Sequence, residues 1–104
     1  MEKEINAGEA KICIDKGAVI LDVRTKEEYE RGHIEGSKNI DIHDATFVEQ
    51  VEKFDRSQSF VVYCASGARS LNAIQMMIDM GFGDVHSMSG GIADWKKEGM
   101  EVVV

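Results

Sequence analysis

Two runs of apolar residues dominate the pattern along the chain, AVILDV at residues 18–23 and SFVVYC at residues 59–64. Their apolar positions are continuous rather than alternating with polar ones, which is typical of strands covered on both faces in a parallel sheet. Glycines fall at the apparent boundaries between segments, and the chain has no proline. The pattern therefore predicts two buried strands, with glycines ending many of the segments around them.

The first third of the chain has two segments with helix signals. Asn6 is expected to cap a first helix that ends at Gly17. Thr25 and Glu28 have the spacing of a capping box for a short second helix that Gly32 closes. The apolar side of the first helix is expected to consist of Ala7, Ala10, Ile12, Cys13 and Ile14.

Three more helices are expected in the remainder. Asp44 is expected to cap ATFVEQVEKF, the following helix is expected to run from Ser70 to Gly81, and GIADWKKEG gives a short last helix. The apolar residues at helical spacing in the first two are Phe47, Val48, Val51 and Phe54, and then Leu71, Ile74, Met77 and Ile78.

Short strands are expected in SKNIDI and GDVHSM, and EVVV is a tail or an edge strand. Strands thus alternate with helices, which predicts an α/β fold with a mostly parallel sheet and helices on both faces. No linker or repeat interrupts the pattern, so we expect one domain over residues 1–104. Ligands of such folds bind beyond the carboxyl ends of the strands, and Cys64 has that position.

Composition and charge narrow the classes of partner. Of the 104 residues, 43% are hydrophobic, and the formal net charge is −7. Such a surface repels nucleic acid and anionic membranes, so we expect neither as a partner. The sequence has no apolar run long enough to span a membrane and no apolar signal core at its start, so a cytoplasmic location is expected.

The chain has two cysteines, Cys13 and Cys64, which a reducing compartment would keep as thiols. The three histidines are isolated, and no pair of potential ligands has zinc spacing. We therefore expect neither a metal nor an organic cofactor.

The stretch CASGARS at residues 64–70 places a thiol where a buried strand ends and a helix begins. A helix N-terminus and a nearby cation both lower the pKa of a cysteine. Cys64 has the helix expected near Ser70 and the guanidinium of Arg69. The small residues 65–68 are expected to turn their N–H groups inward as an anion-binding nest, with Gly67 in a backbone conformation closed to other residues.

Cys64 also has a simpler interpretation, because a free cysteine often packs as a small apolar residue. The strand end, the small-residue loop, the arginine and the helix start occur together here, which favours a catalytic thiol. Cys13 lies within a helical pattern, with Lys11 and Lys16 as its basic neighbours, and is interpreted as a packing residue.

Three segments resemble, in order, the signatures of one family. LDVRTKEEYERGHIEGSKNI has a D-V-R strand end followed by E-Y and G-H-I, VVYCASGARS has the cysteine loop, and SMSGGIADWKKEGMEV has G-G, W and a closing V. On these segments, which cover nearly the whole chain, the sequence resembles the single-domain rhodaneses, a family of sulfurtransferases. It departs from the family at Glu35, Asp41 and Glu101, where proline is common.

The resemblance implies a rhodanese-like α/β fold with a central, mostly parallel five-stranded sheet flanked by helices on both faces. It also implies that Cys64 accepts a sulfane sulfur from a small-molecule donor, becomes a persulfide and passes the sulfur to cyanide or a thiol. A protein acceptor is an open alternative. The residues expected to bind the substrate anion are Ala65, Ser66, Gly67, Ala68, Arg69, Ser70 and Arg24.

Two other functions remain as alternatives. One is a non-catalytic sulfur-carrier or protein-binding module that uses the same persulfide, and the neutral residues Ala65 and Ser66 keep this alternative open. The other is a phosphatase or arsenate reductase of related fold. Only four residues separate Cys64 from Arg69, and the next residue is Ser70, so the cradle suits a sulfur atom better than a phosphate.

Asp22 and Arg24 flank Val23 at a strand end. They either line the pocket or form an ion pair that holds the strand–helix turn. We favour the structural role for Asp22 and retain Arg24 as a candidate. Arg24 and Glu28 also have the spacing to pair across one helical turn.

His33 lies in the G-H-I segment of the family pattern and is expected to be a hydrogen-bonded scaffold residue, and Trp95 a core anchor. His43 and His86 are expected at the surface or in packing. Packing, or an apolar patch for a partner, is also expected of Met76, Met77 and Met80.

Overall fold

The computed structural model describes residues 3–104, and within that range strands and helices alternate along the chain. The strands are β1 (Glu4–Ile5), β2 (Val19–Asp22), β3 (Lys38–Asn39), β4 (Phe60–Tyr63) and β5 (Val85–Met88). The helices are α1 (Ala7–Asp15), α2 (Lys26–Glu30), α3 (Phe47–Val51), α4 (Ala68–Asp79) and α5 (Gly91–Lys97).

The sheet has the strand order β1-β5-β4-β2-β3, and every pairing between its strands is parallel. The two continuous apolar runs of the sequence form β2 and β4, which lie inside the sheet. Their carboxyl ends are level, because Asp22 pairs with Tyr63. The predicted α/β fold with a parallel five-stranded sheet is confirmed.

The fifth strand of the sheet is formed near the start of the described chain rather than by the segment EVVV. Glu4 and Ile5 form β1, which pairs with Ser87 and Met88 of β5. The segment EVVV does not add a strand to the sheet, and its Val103 makes one antiparallel bridge with His33. The prediction of an edge strand at EVVV is therefore wrong, and its alternative, a tail, is correct.

The side chains of β4 alternate between two cores, one on each face of the sheet. Phe60, Val62 and Cys64 belong to the core that α3 and α4 cover, whereas Val61 and Tyr63 belong to the core that α1 and α5 cover. This double burial is the reason for the continuous apolar run. It also places the side chain of Cys64 on the same face of the sheet as α4.

Local capping signals predicted the first two helices correctly. Asn6 caps α1 in a capping box with Glu9, and Thr25 caps α2 in a capping box with Glu28. The apolar side of α1 is narrower than expected, because Ile12 is 56% exposed while Ala7 and Ala10 are buried.

The capping of α3 differs from the prediction. Asp44 does not cap the helix; its Oδ1 accepts hydrogen bonds from the N–H and the hydroxyl of Thr46 in the preceding turn. The helix begins only at Phe47 and ends at Val51, and Val48 on it is exposed. Because the carboxylate of Asp44 forms hydrogen bonds within this turn, α3 has no side-chain cap.

Helix α4 begins two residues earlier than expected, at Ala68, directly after Gly67. Gly67 has a φ of 112°, a conformation that a residue with a side chain rarely adopts, as predicted. The earlier start brings the first turn of α4 against the cysteine.

Candidate active site

Cys64 directly follows β4 and is 1% exposed. Its Sγ accepts a hydrogen bond from the N–H of Gly67 at 3.0 Å, and it lies 3.7 Å from Oγ of Ser70. The positive φ of Gly67 closes the loop tightly enough for its amide to reach back to the sulfur. The thiol therefore lies between the end of a central strand and the N-terminus of α4, where the N–H groups of a first turn have no partner within the helix.

The pKa of the Cys64 thiol is lowered from its usual value. Burial is the largest single influence and acts in the opposite direction, because a thiolate loses its hydration in the interior. It is outweighed by hydrogen bonds from the N–H and hydroxyl of Ser70 and from the N–H groups of Gly67 and Ser66. Neutral donors thus stabilise the anionic form of this sulfur.

The structure brings residues 64–70 together as a single cradle. Gly67 and Ser70 are buried, Ala65 and Arg69 are half-buried, and Ser66 and Ala68 are exposed. The cradle is therefore open to solvent on the side of Ser66 and Ala68, while the sulfur lies at its base.

Arg69 was expected to direct its charge at the sulfur, but its guanidinium binds Glu28 of α2. Nη1 and Nη2 donate to the two carboxylate oxygens at 2.7 and 2.9 Å, and each side chain is 26% exposed. The hydrogen bonds from Arg69 lower the pKa of Glu28 to about 2. The charge of Arg69 is thus largely compensated, although Arg69 still interacts electrostatically with Cys64.

The expected pair between Arg24 and Glu28 is absent from residues 3–104, because each of the two binds another partner. Arg24 is 5% exposed, and its guanidinium donates to both carboxylate oxygens of Asp22 and to the carbonyl of Gly32. It also lies over the ring of Tyr63, whose side chain faces away from that of Cys64. The structure therefore does not bring Arg24 to the cradle, and the ion pair favoured for Asp22 is present.

Gly91, which the sequence analysis did not single out, packs against the backbone of the cysteine loop. Gly91 has a φ of 58°, and a Cβ on it would collide with the carbonyl of Cys64 and lie 2.6 Å from that of Ala65. The N–H of Ile92 donates to the carbonyl of Cys64 at 2.9 Å. The G-G pair of the third signature was the available signal, since Gly90 also has a positive φ.

Ser87 of β5 was also missed. It is fully buried and pairs with Val62, and its Oγ lies 2.7 Å from Oγ of Ser70. Its only sequence signal is its position in the predicted short strand GDVHSM, between His86 and Met88. Its hydroxyl extends the polar contacts of Cys64 into the sheet.

The remaining candidate residues have the structural roles expected of them. Nδ1 of His33 lies 2.9 Å from the carbonyl of Tyr29, and Trp95 is buried with its indole N–H donating to Glu101. His43 is largely exposed, and Nε2 of His86 contacts Asp84 at 2.7 Å. Met77 is buried in the core, and Met76 and Met80 pack against it.

Two classes of feature are absent from the part of the chain that the structure describes. Residues 3–104 contain no group of three or more His, Cys, Asp or Glu side chains arranged to hold a metal ion. None of the helices in this range has the length and apolar character needed to cross a membrane.

Comparisons with known proteins agree on one family. The family model of the rhodanese-like domain matches residues 6–98. The thiosulfate sulfurtransferase GlpE of Pseudomonas paraeruginosa is 37% identical over 82 residues, which cover 79% of this chain and 73% of that protein. GlpE of Coxiella burnetii is 35% identical over 97 residues, covering 92% and 89%. The crystal structure of a rhodanese-related protein from Thermoplasma volcanium matches with a TM-score of 0.87 and 34% identity, covering 97% of each chain.

Proposed function

Because the chain belongs to the rhodanese-like domain family, we propose that it is a sulfurtransferase in which Cys64 carries a sulfane sulfur as a persulfide. The observation that carries the proposal is the position of Cys64 Sγ. The sulfur is buried at the carboxyl end of β4 and accepts a hydrogen bond from the N–H of Gly67 at 3.0 Å. The neutral donors favour the thiolate over the thiol, and the thiolate is the form of cysteine that attacks as a nucleophile.

The reaction has two displacement steps on sulfur. In the first, the Cys64 thiolate attacks the outer sulfur of the donor, the donor's own sulfur–sulfur bond breaks, and the rest of the donor leaves with the bonding electron pair. With thiosulfate as donor, sulfite leaves. In the second step, cyanide or a thiolate attacks the outer sulfur of the persulfide, and Cys64 leaves as a thiolate. No net oxidant or reductant is consumed.

The cradle serves both charged forms of the cysteine. The N–H groups of Ser66, Gly67 and Ser70 stabilise the Cys64 thiolate before the first step. After it, the negative charge resides on the outer sulfur, which extends toward the solvent side of the cradle at Ser66 and Ala68. Donors fixed in position stabilise such a charge without reorganising. Arg24, held by Asp22, takes no part in this binding.

Thiosulfate is the first donor to test, because the relatives carry the name thiosulfate sulfurtransferase. Thiosulfate is a dianion, while the formal net charge of the chain is −7 and Arg69 already pairs with Glu28. The backbone amides therefore carry most of the binding of a donor anion. We place the activity in the cytoplasm, where reducing conditions keep Cys64 available as a thiol.

One feature favours a second candidate function, a sulfur carrier that delivers its persulfide to a protein and turns over slowly with small molecules. Ala65 and Ser66 carry no charge, and the charge of Arg69 is compensated by Glu28. Small anionic donors thus meet little cationic attraction at the cradle. Steady-state kinetics with thiosulfate and either cyanide or thiols distinguish the two functions, because the carrier gives little turnover with any of these acceptors.

The proposal is tested by intact mass spectrometry after incubation with thiosulfate and, in parallel, with polysulfide. The protein and the matched control Cys13→Ser are expected to gain one sulfur atom that cyanide removes. Cys64→Ser is expected to gain none. An equal, cyanide-labile gain in Cys64→Ser would overturn the assignment of Cys64. No gain from either donor in the unaltered protein would overturn the sulfur chemistry itself, and a gain from polysulfide alone would replace thiosulfate as the donor.

A further inference from the structure

Three side chains form a buried line from the sheet to the sulfur. Ser87 on β5 contacts Ser70 on α4 through their hydroxyl oxygens at 2.7 Å, and Ser70 Oγ lies 3.7 Å from Cys64 Sγ. All three residues are 0–1% exposed. Ser70 Oγ also donates to the carbonyl of Gly67 at 3.1 Å. Ser87 itself does not contact the sulfur in this structure.

The number of available partners fixes the direction of these hydrogen bonds. Within residues 3–104, the only hydrogen-bond partner of the Ser87 hydroxyl is Ser70 Oγ. A buried hydroxyl proton without an acceptor is costly, so Ser87 must donate to Ser70. Ser70 then has to direct its own single proton either at the carbonyl of Gly67 or at the sulfur of Cys64.

We infer that Ser87 is a positioning residue that holds the Ser70 hydroxyl with its proton facing the loop, where it switches between the Gly67 carbonyl and the Cys64 sulfur as the cysteine changes charge. This inference rests on the proposed function, because it concerns the same cysteine. With a thiol, Cys64 donates to Ser70 Oγ and Ser70 donates to Gly67. With a thiolate, Ser70 turns its proton to the sulfur, and Ser87 donates to Ser70 in both states.

Ser87 therefore acts on the sulfur through the hydroxyl of Ser70, and its effect favours the thiolate. A hydroxyl that accepts one hydrogen bond becomes a stronger donor in the next, and the effect is larger away from water. Without Ser87, the Ser70 hydroxyl loses this polarisation and supports the thiolate less. The pKa of Cys64, which the contacts of Ser70 help to lower, then moves upward.

The charged groups around the cysteine stay in place when Ser87 is changed. Arg69 on α4 interacts with Cys64, Glu28 on α2 pairs with Arg69, and Asp41 after β3 also interacts with Arg69. His86 neighbours Ser87 in β5, but successive side chains of a strand point to opposite faces. The hydroxyl of Ser87 is bound to Ser70 rather than to a charged group, so a change in the titration of Cys64 caused by substituting Ser87 reports the hydroxyl chain.

The test measures the titration of Cys64 in the full chain, from the rate of alkylation by iodoacetamide across pH and from the ultraviolet absorbance of the thiolate. Ser87→Ala is expected to slow alkylation near neutral pH by about threefold and to shift the profile to higher pH. Ser70→Ala, which removes the direct donor, is expected to slow it by about tenfold.

Ser37→Ala is the matched control. Ser37 is also buried, and its hydroxyl also contacts another hydroxyl, that of Tyr63 at 3.2 Å, on the other face of the sheet. Its loss is expected to affect stability similarly and to leave the Cys64 profile unchanged. A second pair separates the hydroxyl from packing: Ser87→Thr keeps the donor, whereas Ser87→Val matches threonine in shape without it.

A shifted profile in Ser87→Ala and Ser87→Val, with Ser87→Thr close to the unaltered protein, supports the inference. An unchanged profile in Ser87→Ala, or equal shifts in the Thr and Val variants, overturns it. These outcomes are independent of sulfur transfer, so the inference can fail while Cys64 remains the nucleophile. Conversely, sulfur transfer by Cys64→Ser would overturn the proposed function without altering the titration measured here.

Discussion

The ends of β2 and β4 lie side by side, and each buries a side chain that is an anion when ionised. At the end of β2, Asp22 is 0% exposed and is bound by the guanidinium and the N–H of Arg24. At the end of β4, Cys64 is 1% exposed and is held by backbone amides and the Ser70 hydroxyl. The carboxylate of Asp22 thus directly contacts a permanent cation, whereas the donors that directly contact the sulfur of Cys64 are neutral.

Under the proposed function, this difference separates a structural charge at Asp22 from a reactive one at Cys64. The guanidinium of Arg24 donates hydrogen bonds to both carboxylate oxygens of Asp22, so both oxygens are occupied by structural contacts. The donors around Cys64 stabilise a charge without neutralising it, which fits the proposed mechanism, in which that charge attacks the donor and then moves to the added sulfur atom. Arg69, a cation that interacts with Cys64, is itself paired with Glu28. The second strand end thus stabilises its sulfur mainly with neutral donors, while the charge of the neighbouring Arg69 is largely compensated by Glu28.

The largest expected effect on stability comes from breaking the ion pair between Asp22 and Arg24 at the end of β2. Arg24→Met leaves Asp22 buried without its cation and is expected to lower the free energy of unfolding by about 3–5 kcal/mol. Urea denaturation measures this loss. The double variant Asp22→Asn with Arg24→Met should regain part of it, because the uncompensated charge is gone. A loss below about 1 kcal/mol in Arg24→Met would show that the ion pair does not hold this turn.

An intermediate effect is expected from Gly91→Ala, which disturbs the support of the reactive loop. Its Cβ would collide with the carbonyl of Cys64, and its φ of 58° disfavours a side chain. We expect a loss of about 2–3 kcal/mol in stability, together with a loss of sulfur transfer beyond that of the control.

The control for that variant is Gly99→Ala, because Gly99 also has a positive φ but nothing lies within 4 Å of its would-be Cβ. The cost of the backbone conformation alone is expected to be about 1 kcal/mol. Equal losses of stability and activity in the two variants would mean that the contact between Gly91 and the loop has no role in the site.

The smallest effect is expected from Glu28→Gln, which releases the charge of Arg69. The pKa of Glu28 is depressed to about 2, so its ion pair stabilises the fold above the unfolded carboxyl pKa of about 4.3. That stability is lost as pH falls from about 4 through about 2. Because the pair is partly exposed, we expect Glu28→Gln to cost only about 1 kcal/mol at neutral pH. Urea denaturation at neutral and acidic pH measures the cost of the substitution and the loss of the ion pair's contribution at low pH.

Glu28→Gln also tests whether the pairing of Arg69 limits the binding of an anionic donor near Cys64. With Arg69 released, the KM for thiosulfate is expected to fall by about threefold at low salt and less at high salt. Glu27→Gln is the matched control, because Glu27 lies in the same helical turn and is exposed. An unchanged KM in Glu28→Gln, or an equal change in Glu27→Gln, would show that the pairing of Arg69 does not limit donor binding.

Features that depend on neighbouring residues could be predicted from the sequence. The continuous apolar runs at 18–23 and 59–64 identified β2 and β4, two of the three inner strands, because each face of those strands meets a separate core. Asn6 and Thr25 were identified as caps because a cap and its partner lie within one helical turn. The position of Cys64 followed from the same local pattern.

Features that depend on distant residues could not be predicted. Strand β1 is only Glu4–Ile5 and exists because it pairs with β5 at the other end of the chain. The expected partner of Glu28 was Arg24 nearby, whereas the guanidinium it binds comes from Arg69, 41 residues away. Ser87 contacts Ser70 only because β5 lies next to β4. In each case the contact is produced by the sheet order, which no local pattern specifies.

The amide of Ile92 donates to the carbonyl of Cys64, so a segment made late in synthesis completes a loop made much earlier. A chain emerging from the ribosome holds Cys64 in an unfinished loop until α5 has followed it out. During that interval the donors at Ser66, Gly67 and Ser70 lie in a loop that still lacks its hydrogen bond from α5. We therefore expect the cysteine loop to be fully ordered only after α5 has been synthesised and has packed against it.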